Sequence, residues 1–97
     1  MGIKHNGYHF TYHPVVLNVD IPLLDKTIIT RIRNSIEKKL GSNPLLYGLP
    51  LRGSLKGYWK LRVGDYRIVY KIIKNEVRIF IIRHRSNVYE TITKRTE

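Results

Sequence analysis

Apolar residues recur every four positions from Leu24 through Ile28, Ile32 and Ile36 to Leu40, and Ile29 widens the stripe. That spacing returns to one side of a 3.6-residue helix and predicts an amphipathic helix across "DIPLLDKTIITRIRNSIEKKLG". Asp20 stands where an N-cap belongs, Pro22 falls in the first turn, and Gly41 follows the end as a C′ residue. Lys26, Arg31, Arg33, Lys38 and Lys39 fall mainly on the remaining surface. A shorter helical piece is expected before it, around residues 15–19.

Elsewhere the period is two. "YHFTY" alternates aromatic with polar residues, the pattern of a half-buried strand, and His13-Pro14 ends it. Residues 58–63, 66–73 and 77–83 are rich in Ile, Val and Tyr and are separated by short polar turns, which predicts an antiparallel meander. Between helix and meander, "SNPLLYGLPLRGSLKG" reads as a connector that lays Leu45, Leu46, Leu49 and Leu51 onto the core. The tail from Ser86 is polar apart from Val88, Tyr89 and Ile92. The fold class is α+β: an N-terminal strand and helix, or helical hairpin, packed on a small twisted antiparallel β-sheet. At 97 residues the chain is expected to form one domain, 1–97.

Composition narrows the function. There is no cysteine, so neither a disulfide framework nor a thiolate metal site is available. "MGIKHNGYHF" has no apolar signal core, and Asn6 stands where a myristoylation signal at Gly2 needs Ser or Thr. No apolar run approaches the ~20 residues of a membrane span. A cytoplasmic protein with no membrane partner is the expectation. The 18 Lys and Arg against 7 Asp and Glu, net +11, point to a polyanionic partner. The excess is concentrated: residues 52–85 hold ten cations and only Asp65 and Glu76 as anions.

Part of that excess lies in "GYWKLRVGDYRIVY". Gly64-Asp65 fits a two-residue hairpin loop in which Gly supplies the positive φ of a type II′ turn. The register follows: Val63 opposite Tyr66, Arg62 opposite Arg67, Leu61 opposite Ile68, Lys60 opposite Val69, Trp59 opposite Tyr70. One face is apolar, with Trp59, Leu61, Val63, Tyr66, Ile68 and Tyr70. The other carries Lys60, Arg62, Arg67, Val69 and Lys71. Like charges directly across a ladder destabilise a sheet, so Arg62 opposite Arg67 calls for an anion. That anion is either RNA phosphate or a distant acid of the chain, with Glu37, Glu90 and Asp20 as candidates; the alternative is that both guanidiniums splay into water. Arg83, His84 and Arg85 follow the apolar run Ile79 to Ile82, and the length of the turn at Lys74-Asn75-Glu76 decides whether Arg83 or His84 joins the basic face.

Such a cluster has the means to cleave RNA. A base removes the 2′-OH proton, cations stabilise the pentacoordinate phosphorane, and an acid protonates the 5′-oxygen. Arg suits the middle role because its planar fork matches two phosphate oxygens. Lys60, His84 or Tyr89 is available as acid or base. Arg52, Lys56, Arg62, Lys71 and Arg85 are candidates for RNA binding, and Tyr58 either stacks on a base or packs beneath the Leu55 connector. No metal motif such as H-E-x-x-H is present and no cofactor is expected. His5, His9 and His13, spaced by four, read as polar edge-strand residues, with a metal site as the alternative.

"LPLRGSLKGYWKLRVGDYRIVYKI" followed by "IIRHRSNVYE", with the preceding helix and "NPLLYG", resembles the RelE/ParE superfamily of type II toxin–antitoxin toxins, closest to its RelE-like members. The resemblance implies a small α+β toxin that cuts mRNA in the ribosomal A site without a metal. The positions that match the family are Lys60, Arg62 and Arg67 in the hairpin, Arg83 at the strand end and Tyr89 near the C-terminus. Tyr58 departs from the RelE pattern, which has Lys there, and His84 has no counterpart in it. The implied partners are mRNA, the ribosome and a cognate, often acidic antitoxin, which would cover apolar surface around Ile21 to Leu24. The superfamily also implies a ParE-like gyrase poison as the alternative, and a noncatalytic RNA-binding or partner-binding module is a third possibility.

Overall fold

The computed structural model describes residues 4–5 and 7–95, so Gly2 and Asn6 lie outside the described residues. Six strands form one sheet in the order β1-β2-β6-β5-β4-β3. They are β1 (Lys4–His5), β2 (Tyr8–Tyr12), β3 (Leu49–Pro50), β4 (Trp59–Val63), β5 (Tyr66–Ile73) and β6 (Glu76–His84). The β4–β5–β6 meander is antiparallel, as the pattern predicts. The N-terminal strand differs: β2 lies parallel to β6, with Phe10 beside Val77 and Tyr12 beside Ile79, so the sheet is mixed.

Helix α1 (Lys26–Ser35) runs on into a wider, π-type turn at Ile36–Leu40 and buries Ile32, Ile36 and Leu40. The apolar stripe is therefore the observed core face. The start moves, however. Asp25 is the N-cap, its Oδ1 accepting from Ile28 N at 2.9 Å. Residues before it form a separate π-helical turn (Val16–Asp20) and a 3-10 turn (Ile21–Leu23), because Leu24 turns extended. Asp20 is thus no cap and is buried instead. Gly41 keeps right-handed helical angles, φ −67°, rather than taking up a C′ conformation. The chain stops and restarts at Asn43, which caps the short α2 (Pro44–Tyr47).

α1 and the N-terminal turns cover one sheet face, packing Val16, Ile32, Ile36 and Leu40 on Leu61, Val63, Ile68, Tyr70, Val77, Ile79 and Ile82. A second core lies on the opposite face. There α3 (Val88–Arg95) docks Val88 and Ile92 onto Val69 and Ile81, with Leu51, Leu55, Tyr58 and Phe80 around them. The polar-looking tail is therefore a helix, and its one-turn pair Val88–Ile92 was the available signal. The connector divides: Leu51 packs on this second core, whereas Leu45, Leu46 and Leu49 are exposed. α2 is one turn long and β3 is an edge strand of two residues, so neither has a second element to bury those leucines against.

One buried hydrogen bond ties α2 to the sheet. Tyr70 Oη donates to the Pro44 carbonyl at 2.7 Å, and burial pushes its phenol pKa upward, so it stays a donor. A Cβ at Gly48 would collide with that hydroxyl. Gly48→Ala is expected to cost about 1–3 kcal/mol by overpacking, read as a lowered chemical-denaturation midpoint. Thermodynamics unchanged from wild type would refute the contact.

At the β2–β6 seam, Glu76 Oε2 accepts from Arg78 Nε and Thr11 Oγ1, each at 2.7 Å. These bonds hold its carboxyl below the usual carboxylate range. A depressed folded-state pKa contributes stability above the unfolded value and loses it as pH falls through the folded one. The unfolding midpoint of Glu76→Gln is therefore expected to converge on wild type in acid and to fall below it at neutral pH.

Candidate active site

Gly64 has φ +58° and Asp65 does not share a positive φ, which is the type II′ arrangement. The turn sets the pairings expected from the sequence, with Arg62 opposite Arg67 and Lys60 opposite Val69. The third strand is phased by a bulge. From the two-residue turn at Lys74-Asn75 the ladder runs Ile73–Glu76 to Tyr70–Ile79, then shifts by one so that Val69 meets Ile81. Phe80 is the extra residue. An unbroken ladder would bring Ile82 opposite Arg67; the bulge brings Arg83 there instead. Arg62, Arg67 and Arg83 thus form one rung across three strands. His84 pairs with Tyr66 on the other face, its ring 5.5 Å from the tyrosine ring edge-on, so the structure does not bring it to the arginines.

One rung away, Lys60 Nζ donates to Tyr89 Oη at 2.6 Å and lies 5.2 Å from the centre of its ring. Tyr89 is 55% exposed, on the first turn of α3. Val69, the neutral residue of the basic face, is covered by α3, and this is what carries Tyr89 over to Lys60. The next rung holds Lys71, whose Nζ sits 4.5 Å from the centre of the Tyr58 ring. Tyr58 itself packs edge-on against Phe80 in the second core, so of its two expected placements it takes the packed one. Arg52 and Lys56 are exposed on the connector anchored by Leu51 and Leu55. Arg85 is exposed and reaches Asp65 at 3.8 Å, a surface pair that holds it loosely.

The arginines are not equally free. Arg62 is exposed. Arg67 folds one nitrogen, Nη1, onto the carbonyls of Gly64 and Tyr66 at 2.9 and 3.0 Å. Arg83 meets the chain's own acid: its Nε donates to Asp20 Oδ1 at 3.1 Å. That is the intramolecular counterion weighed from the sequence, realised for one of the three. Asp20 also takes both terminal nitrogens of Arg95, at 2.6 and 2.8 Å, so the trio keeps a net positive charge. Arg95 and the burial of Asp20 escaped the sequence reading because the partners lie 63 and 75 positions apart. Among the described residues no three His, Cys, Asp or Glu gather as a metal site; His9 and His13 sit in and just after β2, with His13 against Phe80.

The family model for the ParE toxin of type II toxin–antitoxin systems matches residues 13–89, which spans α1 and the whole meander and ends in the first turn of α3. This chain is a type II toxin of the RelE/ParE superfamily. The toxin is 32% identical over 72 residues to toxin RelG of Mycobacterium tuberculosis, covering 72% of this chain and 83% of that one. It is 38% identical over 72 residues to the mRNA interferase toxin RelE of Escherichia coli K12, covering 66% and 76%. Among solved structures, the RelBE2 toxin–antitoxin complex of M. tuberculosis superposes with a TM-score of 0.75 at 29% identity, over 80% of this toxin and 98% of that chain. The RelE–RelB complex of Pyrococcus horikoshii, at 21% identity and a TM-score of 0.64, shares the fold. No helix among the described residues of the toxin is long and apolar enough to cross a membrane.

Proposed function

We propose that this toxin is an endoribonuclease that cuts mRNA on the ribosome, in the cytoplasm, by attack of the RNA 2′-oxygen on the adjacent phosphorus. The carrying observation is the Lys60–Tyr89 hydrogen bond beside a rung of three arginines on one sheet face. In the reaction the 2′-oxygen loses its proton to a base and bonds to phosphorus. The bond to the 5′-oxygen breaks, that oxygen is protonated, and a 2′,3′-cyclic phosphate and a 5′-hydroxyl end result. Lys60 and Tyr89 form the proton-transfer pair, since a single hydrogen bond links a potential base to a potential acid. Arg67 and Arg83 hold the phosphate and its transition-state charge, and Arg62, Lys71, Arg52, Lys56 and Arg85 guide the strand electrostatically. His84, on the far face, takes no part in this assignment. The relative named mRNA interferase supports the reading.

The toxin's partner is a cognate antitoxin, as in the complexes it resembles. Its net charge of +11 favours an acidic one. The groove lined by Ile21, Leu24 and Ile29, with Leu17 and Leu23 exposed nearby, gives such a partner apolar surface to cover.

Inducible expression with and without the neighbouring gene product, followed by mapping of mRNA 5′ ends, tests the function. Codon-positioned cuts in translated messages are expected. The family model is named for ParE, which favours gyrase poisoning as the second reading; DNA double-strand breaks without mRNA cuts would establish that one instead.

A further inference from the structure

Asp20 is the buried carboxylate that the proposed chemistry leaves unused. It is 1% exposed and is the buried charged side chain among the described residues. We propose that Asp20 is a positioning residue for cleavage, holding Arg83 and the Tyr89-bearing helix α3 through one carboxylate; this rests on the endoribonuclease reading above.

The carboxylate is filled to capacity. Oδ1 accepts from Arg83 Nε at 3.1 Å and from Arg95 Nη2 at 2.6 Å. Oδ2 accepts from the Ile82 backbone N–H at 2.9 Å and from Arg95 Nη1 at 2.8 Å. Four donors match the four lone-pair sites an ionised carboxylate offers. Arg95 Nη1 also reaches the Phe80 carbonyl at 3.1 Å, inside the β6 bulge that phases Arg83.

Two consequences separate this arrangement from a simple buried ion pair. Arg83 spends Nε on Asp20, and among the described residues its two terminal nitrogens have no hydrogen-bond partner. Its guanidinium plane is therefore anchored at one edge while the fork that matches two phosphate oxygens is left available. Arg95 lies at the end of α3, six positions after Tyr89. The same carboxylate that anchors Arg83 thus pins the helix on which Tyr89 reaches Lys60. The ion pair also supplies Arg83 with a counterion, which eases its placement directly opposite Arg67.

The test is single-turnover cleavage of mRNA on programmed ribosomes, with ribosome binding measured separately and melting curves confirming that each variant is folded. Asp20→Asn is expected to lower the cleavage rate constant ~10²-fold with little change in ribosome affinity, because small misplacements of reacting groups carry that penalty. In an Arg83→Ala background the same change is expected to cost less than in wild type, keeping only the part that acts through Arg95 and the Tyr89-bearing helix. Arg95→Gln, which spares the Asp20–Arg83 contact, is expected to lower the rate through Tyr89 alone. A folded Asp20→Asn with the wild-type rate, or a loss fully additive to Arg83→Ala, overturns the proposal. Should Asp20→Asn not fold, Arg95→Gln decides: an unchanged rate overturns it and a reduced rate at unchanged affinity supports it. Failure of wild-type toxin to cleave any message would instead sink the endoribonuclease reading, and this proposal with it.

Discussion

Arg67→Ala is expected to slow mRNA cleavage about 10²–10³-fold while ribosome binding changes far less, the loss typical of removing one preorganised transition-state donor. Arg67 is the middle of the three-arginine rung, on the strand between β4 and β6. Any phosphate lying across the rung meets it. Its Nη1 is tied to the Gly64 and Tyr66 carbonyls, which fixes the guanidinium before substrate arrives. Binding energy comes from many cations spread over the face, so losing one moves affinity little. The variant also loses its two bonds to the turn, so melting must accompany the kinetics. Arg67→Lys keeps the charge but lacks the fork, and is expected to recover only part of the rate. A folded Arg67→Ala toxin that cleaves at the wild-type rate would show that Arg67 does not stabilise the transition state.

The second large effect concerns the proton-transfer pair. Lys60→Met and Tyr89→Phe are each expected to lower the rate at saturating ribosomes by ~10²–10⁴, the usual contribution of a positioned acid or base. Tyr89→Phe keeps the ring beside Lys60 and removes only the hydroxyl that accepts at 2.6 Å. Because the two groups share one hydrogen bond, the double variant is expected to be little slower than the worse single. Strictly multiplicative losses would mean that Lys60 and Tyr89 act separately, and the assignment of a joint role would fall.

What the chain's order alone determined is whatever one-sided patterning encodes. The stripe from Leu24 to Leu40 could bury only one side, and it does. The β4–β5 hairpin was legible to the residue, since Gly64 admits the left-handed turn and one apolar face forces the register. The basic patch of Lys60, Arg62 and Arg67 followed from that register.

The rest depended on contacts that local pattern does not record. β6 is covered on both faces, so Ile79, Phe80, Ile81 and Ile82 offer no polar residue to mark its phase. Only the bulge at Phe80 set Arg83 beside Arg67 and turned His84 away. The helix at Val88–Arg95 looked polar because a single pair, Val88 and Ile92, is what it buries on Val69 and Ile81. Asp20 reads locally as a cap, yet its partners Arg83 and Arg95 come from the far end of the chain. Tertiary packing alone brings that carboxylate and the two guanidiniums together, and the four hydrogen bonds the acid accepts there offset the cost of burying its charge.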